Sequence, residues 1–390
     1  MSPVLIVGGG IGGLTSALSL ARQGLASRVL EARSAPPREG AGIQLGPNAT
    51  RILRALGLAD ALHPHIALPE YISVHDGRTG SQLARLPLGR WISERHGAPY
   101  WVIHRAALHE VLWNAAQSEP LIDLETGRTI GEITDEPGAL DVTVGLSGGH
   151  EARGKALIGA DGLWSSVRRH VDPNFQLRYT GWTAARAVVP RDTLGIRLAE
   201  LATFVWLSPN AHVVHYPIDA GQNLAIVAIA RCAEPSDGWS GAVDKSTVTG
   251  RFEGMAATIL ELIDAPTDWR QWGLFEPVRD VNWHDQRCIL IGDAAHPILP
   301  FLAQGGAMAI EDGFEIASSL SCRTDDITRE LLQFAQWRRA RVMKVQRASI
   351  DNGRAYHLEG MAAMARNAAL RSLPGNVFMK RYDWIYGYRS

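Results

Sequence analysis

The sequence predicts an α/β protein: a parallel nucleotide-binding sheet, a β-rich segment inserted between its strands, and helices toward the carboxyl end. Three observations support this: a glycine-rich turn after a short apolar strand at Val4 to Val7, two more apolar runs ending in Gly or Asp far down the chain, and β-branched runs between them. In the first unit, Gly8, Gly10 and Gly13 match the G-x-G-x-x-G spacing. Gly8 would permit the tight turn, Gly10 the close approach of a pyrophosphate, and Gly13 the packing of a helix beginning near Gly12 against the strand. That helix aims free N–H groups and its positive dipole end at phosphates. Glu31 closes the next strand, Arg28 to Glu31, where a carboxylate can accept from a ribose.

Composition bounds the rest. With 390 residues, 46% hydrophobic and 20% charged, the chain can bury a large core in two or three domains. A net charge of -1 offers no basic field, so nucleic acid is not an expected partner. Cys232, Cys288 and Cys322 are odd in number and form no C-x-x-C pattern, which argues against disulfides, a zinc site or a redox dithiol and fits a reducing, cytoplasmic setting. The uncharged stretch from Met1 to Ala21 is broken by five glycines and lacks a basic start, so it reads as strand plus buried helix, with no membrane partner expected. His63 and His65 have no nearby cysteine or acid cluster, and no metal is expected.

The second strand of the nucleotide sheet is Lys155 to Gly159, leading into A-D-G, and the third is Cys288 to Ile291, leading into G-D-A-A-H. The nucleotide domain is therefore expected to be discontinuous, over 1–70, 98–175 and 275–345. Residues 71–97 and 176–274 are expected to form a substrate-covering sheet, from runs such as Arg186 to Val189, His212 to Tyr216 and Leu224 to Ile229 broken by Pro and Gly. Gly145 to Gly149 reads as a hairpin turn. Helical periodicity from Thr324 to about Tyr356 leads into a helical segment, 346–390, whose aromatic tail from Tyr382 to Tyr388 packs on the nucleotide domain or another subunit. A monomer or homodimer is expected.

Only one G-x-G-x-x-G sits between a strand and a helix, so any second nucleotide must bind without a domain of its own. With G-A-D-G-L-W-S-S-V-R at Gly159 to Arg168 and G-D-A-A-H-P-I-L-P-F-L-A-Q-G-G from Gly292, the fingerprint makes three ordered blocks. The chain resembles the single-component FAD-dependent aromatic hydroxylases, the group of salicylate hydroxylase and 3-hydroxybenzoate 6-hydroxylase, over nearly its whole length. The resemblance implies a Rossmann-like FAD-binding domain with an inserted β-rich substrate domain, as in p-hydroxybenzoate hydroxylase. NADH or NADPH would be co-substrate, and a flavin C4a-hydroperoxide formed from molecular oxygen would hydroxylate a small hydroxylated aromatic acid.

The resemblance assigns Gly8, Gly10, Gly13 and Glu31 to the ADP moiety and Arg105 to the phosphates and ribityl chain; the alternative for Arg105 is a solvated helix arginine. Asp161 is similar to the family's D-G aspartate near both nucleotides, with Arg168 its helical partner. Asp293 would hold ribityl hydroxyls and cap a helix together. Gly305 and Gly306 open a helix whose N–H groups would face the flavin N1 and O2 edge. Many relatives have Gly where Ala303 stands and Asn where Ala307 stands. Gln44, in G-A-G-I-Q, together with Pro300 and Phe301, would line the substrate pocket. His296 is either a polar group near the flavin or a structural contact within its loop.

For substrate chemistry, alternation along a strand puts His212, Val214 and Tyr216 on one face and His215 on the other. His212 and Tyr216 would stand about 13 Å apart at 3.3 Å per residue, bracketing a small ring. Certain relatives carry His and Tyr at this spacing, which implies His212 as the base that draws the substrate's hydroxyl proton; the alternative is a satisfied sheet histidine. Transfer from a phenol near pKa 10 to an imidazole near 6.5 is uphill by about 3.5 units, roughly 5 kcal/mol, so a partner such as Tyr216 is needed. Hydroxybenzoates, salicylate and hydroxynicotinate-type acids all remain as substrates. A dehydrogenating flavoenzyme and a non-catalytic FAD-binding sensor are the competing functions.

Overall fold

The computed structural model describes residues 2–36, 40–195, 200–235, 241–321 and 326–389; Cys322 and Thr324 lie outside them. Val4–Val7 is the centre of a six-stranded sheet, because every side chain in it is apolar and at most 5% exposed. Its order is His284–Asp285, Cys288–Leu290, Ala156–Gly159, Val4–Val7, Ser27–Glu31 and Ile122–Thr126, parallel throughout except at the first edge pair. Strands from three distant stretches of chain thus become neighbours. Helix Ile11–Arg22 packs very closely on helix Gly305–Ser321: a Cβ at Gly313 would lie 2.8 Å from the Ser16 backbone nitrogen. Residues 145–149 span the end of one strand and the turn of the hairpin Val142–Leu146 and His150–Gly154, as expected.

The second sheet has eight strands, in the order Gly241–Val243, Trp269–Pro277, Leu177–Pro190, Asn223–Arg231, Ala211–Ile218, Thr203–Ser208, Tyr71–Asp76 and Gln82–Pro87. The strand Trp269–Pro277 stays paired in it up to Pro277, past the boundary expected after residue 274. One face, carrying Val213 and Ile226, packs under Val248, Phe252, Ile259 and Leu262 of the helical stretch 245–264. The other, carrying Tyr216, Ile218 and Ala225, turns toward Tyr100, Val102 and Tyr386. This is the period-2 alternation of a sheet buried on both sides.

Between the two sheets runs a smaller one, Gly42–Leu45, Trp101–His104 and Ile66–Ala67. Helix Ile327–Tyr356 starts where the Asp326 carboxylate accepts the Arg329 N–H at 3.0 Å, and three short helices follow it. The aromatic tail packs on its own chain: Ile385 and Tyr386 are buried, and the Tyr388 hydroxyl donates to Glu315. Among the described residues no helix is long and apolar enough to cross a membrane, and no group of three or more His, Cys, Asp or Glu is placed to hold a metal.

Candidate active site

The glycine turn is shaped as its spacing requires. Gly8 has φ +101, where an added Cβ would lie 2.6 Å from the Ala160 carbonyl oxygen, and a Cβ at Gly13 would lie 2.0 Å from the Gly8 oxygen. Gly10 opens onto space, with no atom within 4 Å of an added Cβ. Helix Ile11–Arg22 begins beside it with no side-chain cap and no acid in its first turn, so its N–H donors are left for an anion. The Glu31 carboxylate reaches back to the turn, accepting from the Gly9 N–H at 2.7 Å and the Arg33 N–H at 2.8 Å. His109, absent from the sequence argument, is 2.6 Å from the Gly9 oxygen. Its i, i+4 spacing from Arg105 was the available signal.

Arg105 is the first residue of helix Arg105–Ser118 and is exposed, yet it is set deep enough that burial lowers its pKa while Asp293 pushes the other way. The guanidinium is thus accessible while surrounded by protein. Asp293 is its counterpart: burial raises the carboxyl's pKa, and Arg105, His296 and Arg168 oppose that. These two charges feel each other without an ion pair inside 4 Å among the described residues. A cation and a carboxylate set near each other but not paired are the donor and acceptor types that phosphate and hydroxyl groups call for.

Asp161 and Arg168 depart from the expected pairing. The Asp161 carboxylate is occupied by the Ser165 hydroxyl and the N–H groups of Ser166 and Val167 at the start of helix Ser166–Val171. Arg168 instead donates to the carbonyls of Leu163, Asp293 and Ala294 and lies over Phe175. Burial outweighs the favourable carboxylates and lowers its pKa to about 10. The helix start satisfies the aspartate, so the arginine is free to hold the turn that carries Asp293. His296 is the structural contact: its Nε2 is 2.5 Å from Asp312 Oδ2, which also accepts the Gly292 N–H at 2.9 Å.

Residues 300–302 form a 3-10 turn, after which Ala303 takes φ +52, the left-handed region where glycine is at ease. Helix Gly305–Ser321 then starts, with open space at Gly305 and with Gly306 against Ile43, where a Cβ would be 2.5 Å from that side chain. The buried Gln304 accepts from Asn48 at 3.0 Å, fixing the turn to the first domain's helix Pro47–Ala55.

His212 and Tyr216 share one face of Ala211–Ile218, both buried; His215 lies on the other, stacked on Phe204 at 4.5 Å. They do not act on each other. The Tyr216 hydroxyl donates to the Gly42 carbonyl at 2.8 Å, and burial raises its pKa, so it is no acceptor for a proton. The partner of His212 is His357, Nδ1 to Nε2 at 2.9 Å, contributed by the end of helix Ile327–Tyr356. That pairing corrects the expectation of Tyr216, because no period-2 argument can reach 145 residues along the chain. Phe301 closes the group, 5.6 Å from His212 and 5.8 Å from His357 by ring centroids, and Pro300 opens the turn that carries it. The Gln44 side-chain oxygen accepts from Tyr100 at 2.8 Å. Burial holds His212 well below the usual imidazole pKa and His357 at about 4. A resting proton on either is therefore disfavoured more than free imidazole suggests.

These residues fit a long flavin nucleotide. Open space at Gly10 and Gly305 suits close backbone approach, the uncapped start of Ile11–Arg22, the acid-free first turn of Gly305–Ser321 and Arg105 suit anionic groups, and Asp293 suits a polyol.

Comparison with known proteins agrees. Residues 1–349 match the model of the FAD binding domain family. The chain is 34% identical over 386 residues to a 3-hydroxybenzoate 6-hydroxylase of Polaromonas naphthalenivorans (strain CJ2), covering 99% of this chain and 96% of that protein. It is 32% identical to a 6-hydroxynicotinate 3-monooxygenase of Pseudomonas fluorescens, covering 90% of each. A salicylate hydroxylase substrate complex superimposes with a TM-score of 0.83 at 23% identity, covering 100% of this chain and 96% of that one. With its nucleotide turn, its Asp293 crevice and near full-length relatives, the chain belongs to the FAD-binding-domain family of flavin-dependent aromatic hydroxylases.

Proposed function

We propose that this protein hydroxylates a small hydroxylated aromatic acid of the hydroxybenzoate type, using FAD, NADH or NADPH, and molecular oxygen. The observation that carries the reading is the buried His212, held at Nδ1, on the strand face that meets the Phe301 turn just before Gly305. Gly8, Gly10 and Gly13 with the start of helix Ile11–Arg22 would hold the diphosphate, Glu31 the ribose, Arg105 the phosphates and ribityl chain, Asp293 the ribityl hydroxyls, and the N–H groups of Gly305 and Gly306 the edge of the ring system. When bound and reduced by a nicotinamide nucleotide, FAD supplies the activated oxygen that an electron-rich aromatic ring accepts.

The chain's own task is to make that ring electron-rich and keep water out. A phenolate donates electrons far better than a phenol, so a base must reach the hydroxyl. His212 takes that proton as the ring is attacked, since a neutral, depressed imidazole cannot hold it beforehand: the cost exceeds the roughly 5 kcal/mol set by unperturbed pKa values. Tyr216 and Gln44, tied to Gly42 and Tyr100, would shape the pocket wall, and Phe301 would exclude water from the base.

The test is to purify the protein, confirm bound flavin by its absorbance, and screen hydroxybenzoates, salicylate and hydroxynicotinates for compounds that accelerate NADH or NADPH oxidation with incorporation of labelled oxygen. A ring product carrying one atom from dioxygen is expected. Nicotinamide oxidation that yields only peroxide with every acid would reject hydroxylation. Unchanged product formation in His212→Ala at every pH would reject the base.

A further inference from the structure

His357 lies outside the three motif blocks, 145 residues from His212, and the mechanism above gives it nothing to do. We propose that His357 is the positioning residue for the base: its Nε2 accepts the Nδ1–H of His212, which leaves the His212 lone pair on Nε2 to face the substrate hydroxyl. What that lone pair does rests on the hydroxylase reading; the tautomer does not.

At 2.9 Å between His212 Nδ1 and His357 Nε2, one ring must donate and the other accept. Two neutral arrangements satisfy this. If His357 donated, its Nδ1 would carry a lone pair and His212 would be protonated on Nε2, a donor toward substrate and useless as a base. The Gly353 carbonyl, which accepts the His357 backbone N–H at 3.2 Å, also favours a protonated His357 ring. A carbonyl can only accept, so it calls for Nδ1–H on His357 and leaves Nε2 as the acceptor. The proposed order from the helix outward is Gly353 carbonyl, His357, His212, substrate. His212 Nε2 has no protein partner among the described residues.

The surroundings hold this geometry. His357 stacks on Trp182 at 4.0 Å with 25° between planes, and Arg231 lies over the far ring system at 4.8 Å. Tyr356 stands edge-on to His212 at 5.3 Å, Phe301 touches both imidazoles, and Arg366 caps the carbonyls of Ala355 and Tyr356. Arg231 and Arg366 are the cations facing the pair, and both disfavour a charge on His357. Against them stands the carboxyl end of a 30-residue helix, whose dipole favours a cation at that position.

In the reaction, the substrate O–H bond breaks, its electron pair stays on oxygen, and the proton bonds to His212 Nε2. The His212 Nδ1 proton moves to His357 Nε2, so the charge leaves a ring that is 1% exposed for one that is half-buried. No oxidant or further reactant is needed.

Long-range proton–nitrogen correlation on the uniformly 15N-labelled full chain reads the tautomer directly, with His212→Gln and His357→Gln assigning the rings. Expected is protonated Nδ1 and bare Nε2 on His212 at pH 7.5; a protonated Nε2 overturns the proposal even if no substrate is ever found. With 3-hydroxybenzoate as probe, His357→Leu should lower kcat by about tenfold or more, leave KM within about threefold, keep full flavin content and move the pH profile. His357→Gln, whose side-chain oxygen can accept the same N–H, should recover at least about a third of kcat. A His357→Leu protein with wild-type kcat and pH profile also overturns it. If 3-hydroxybenzoate and the wider panel are not turned over, the function fails while the spectra still decide the tautomer.

Discussion

Replacing Arg338 by methionine tests how the flavin crevice is held. Arg338 is fully buried and donates to Asp312 at 2.9 Å through Nε and to Glu311 at 3.0 Å through both terminal nitrogens. Asp312 in turn holds the Gly292 N–H and His296, the turn that presents Asp293; Glu311 also binds Arg341 and Asn48. Methionine fills much of the volume but leaves Asp312 with only His296 and the Gly292 N–H, and Glu311 with Arg341 and Asn48, and breaking a buried pair by removing one partner costs about 3–5 kcal/mol. For a cooperative unit of 150–250 residues that is a fall in Tm of roughly 6–20 °C. The sign with pH follows from Asp312, whose carboxyl its cations hold below the usual range despite burial: its contribution is present above the unfolded pKa and lost as pH falls through the folded one. Without Arg338 that depression shrinks, and acid unfolding begins closer to neutral pH. Thermal unfolding followed by tryptophan fluorescence, with flavin release in parallel, measures both. A Tm within about 2 °C of wild type, with the acid limb unmoved, would refute the account of this network.

Three further outcomes are expected. His357 sits at about 4 folded against 6.5 unfolded, so the unfolded chain binds the extra proton and stability falls as pH drops from 6.5 toward 4; His357→Gln should remove up to about 3 kcal/mol of that loss, read from urea midpoints at pH 7 and 4.5. Gly13→Ala places a Cβ 2.0 Å from the Gly8 oxygen, so the turn must open and purified protein should carry little flavin; wild-type flavin content would contradict the proposed phosphate turn. Ala303→Gly relieves a left-handed alanine that costs about 1–2 kcal/mol, partly offset by about 0.5–1 kcal/mol of added unfolded-state freedom, so its Tm should hold or rise slightly, and a clear fall would show that the methyl packs better than its backbone suggests.

Much of the fold was legible because its signals are local. Val4–Val7, Ala156–Gly159 and Cys288–Leu290 announce themselves as short apolar runs before Gly or Asp, and the alternation of Ala211–Ile218 placed His212 and Tyr216 together. What escaped was long-range and polar. His357 meets His212 only through tertiary packing, and Arg168 acts on Asp161 through charge while its hydrogen bonds go to carbonyls, the Ser165 hydroxyl and two N–H groups already satisfying that carboxylate. Glu311 and Asp312 carry no motif of their own, yet they lie fully buried with Arg338. Periodicity assigns faces to core or surface; it says nothing of a charge cluster sealed between them.

The clamp at Glu311 reaches unusually late in the chain: Arg341 binds that carboxylate while donating to the carbonyls of Trp384 and Ile385, and Tyr388 binds Glu315. During synthesis, then, the crevice cannot settle when its glycine turn emerges, nor even when Asp293 does. Nascent protein should stay apo until residues near 388 clear the ribosome, and prematurely stopped chains should present an open, sticky seam to chaperones rather than a yellow enzyme.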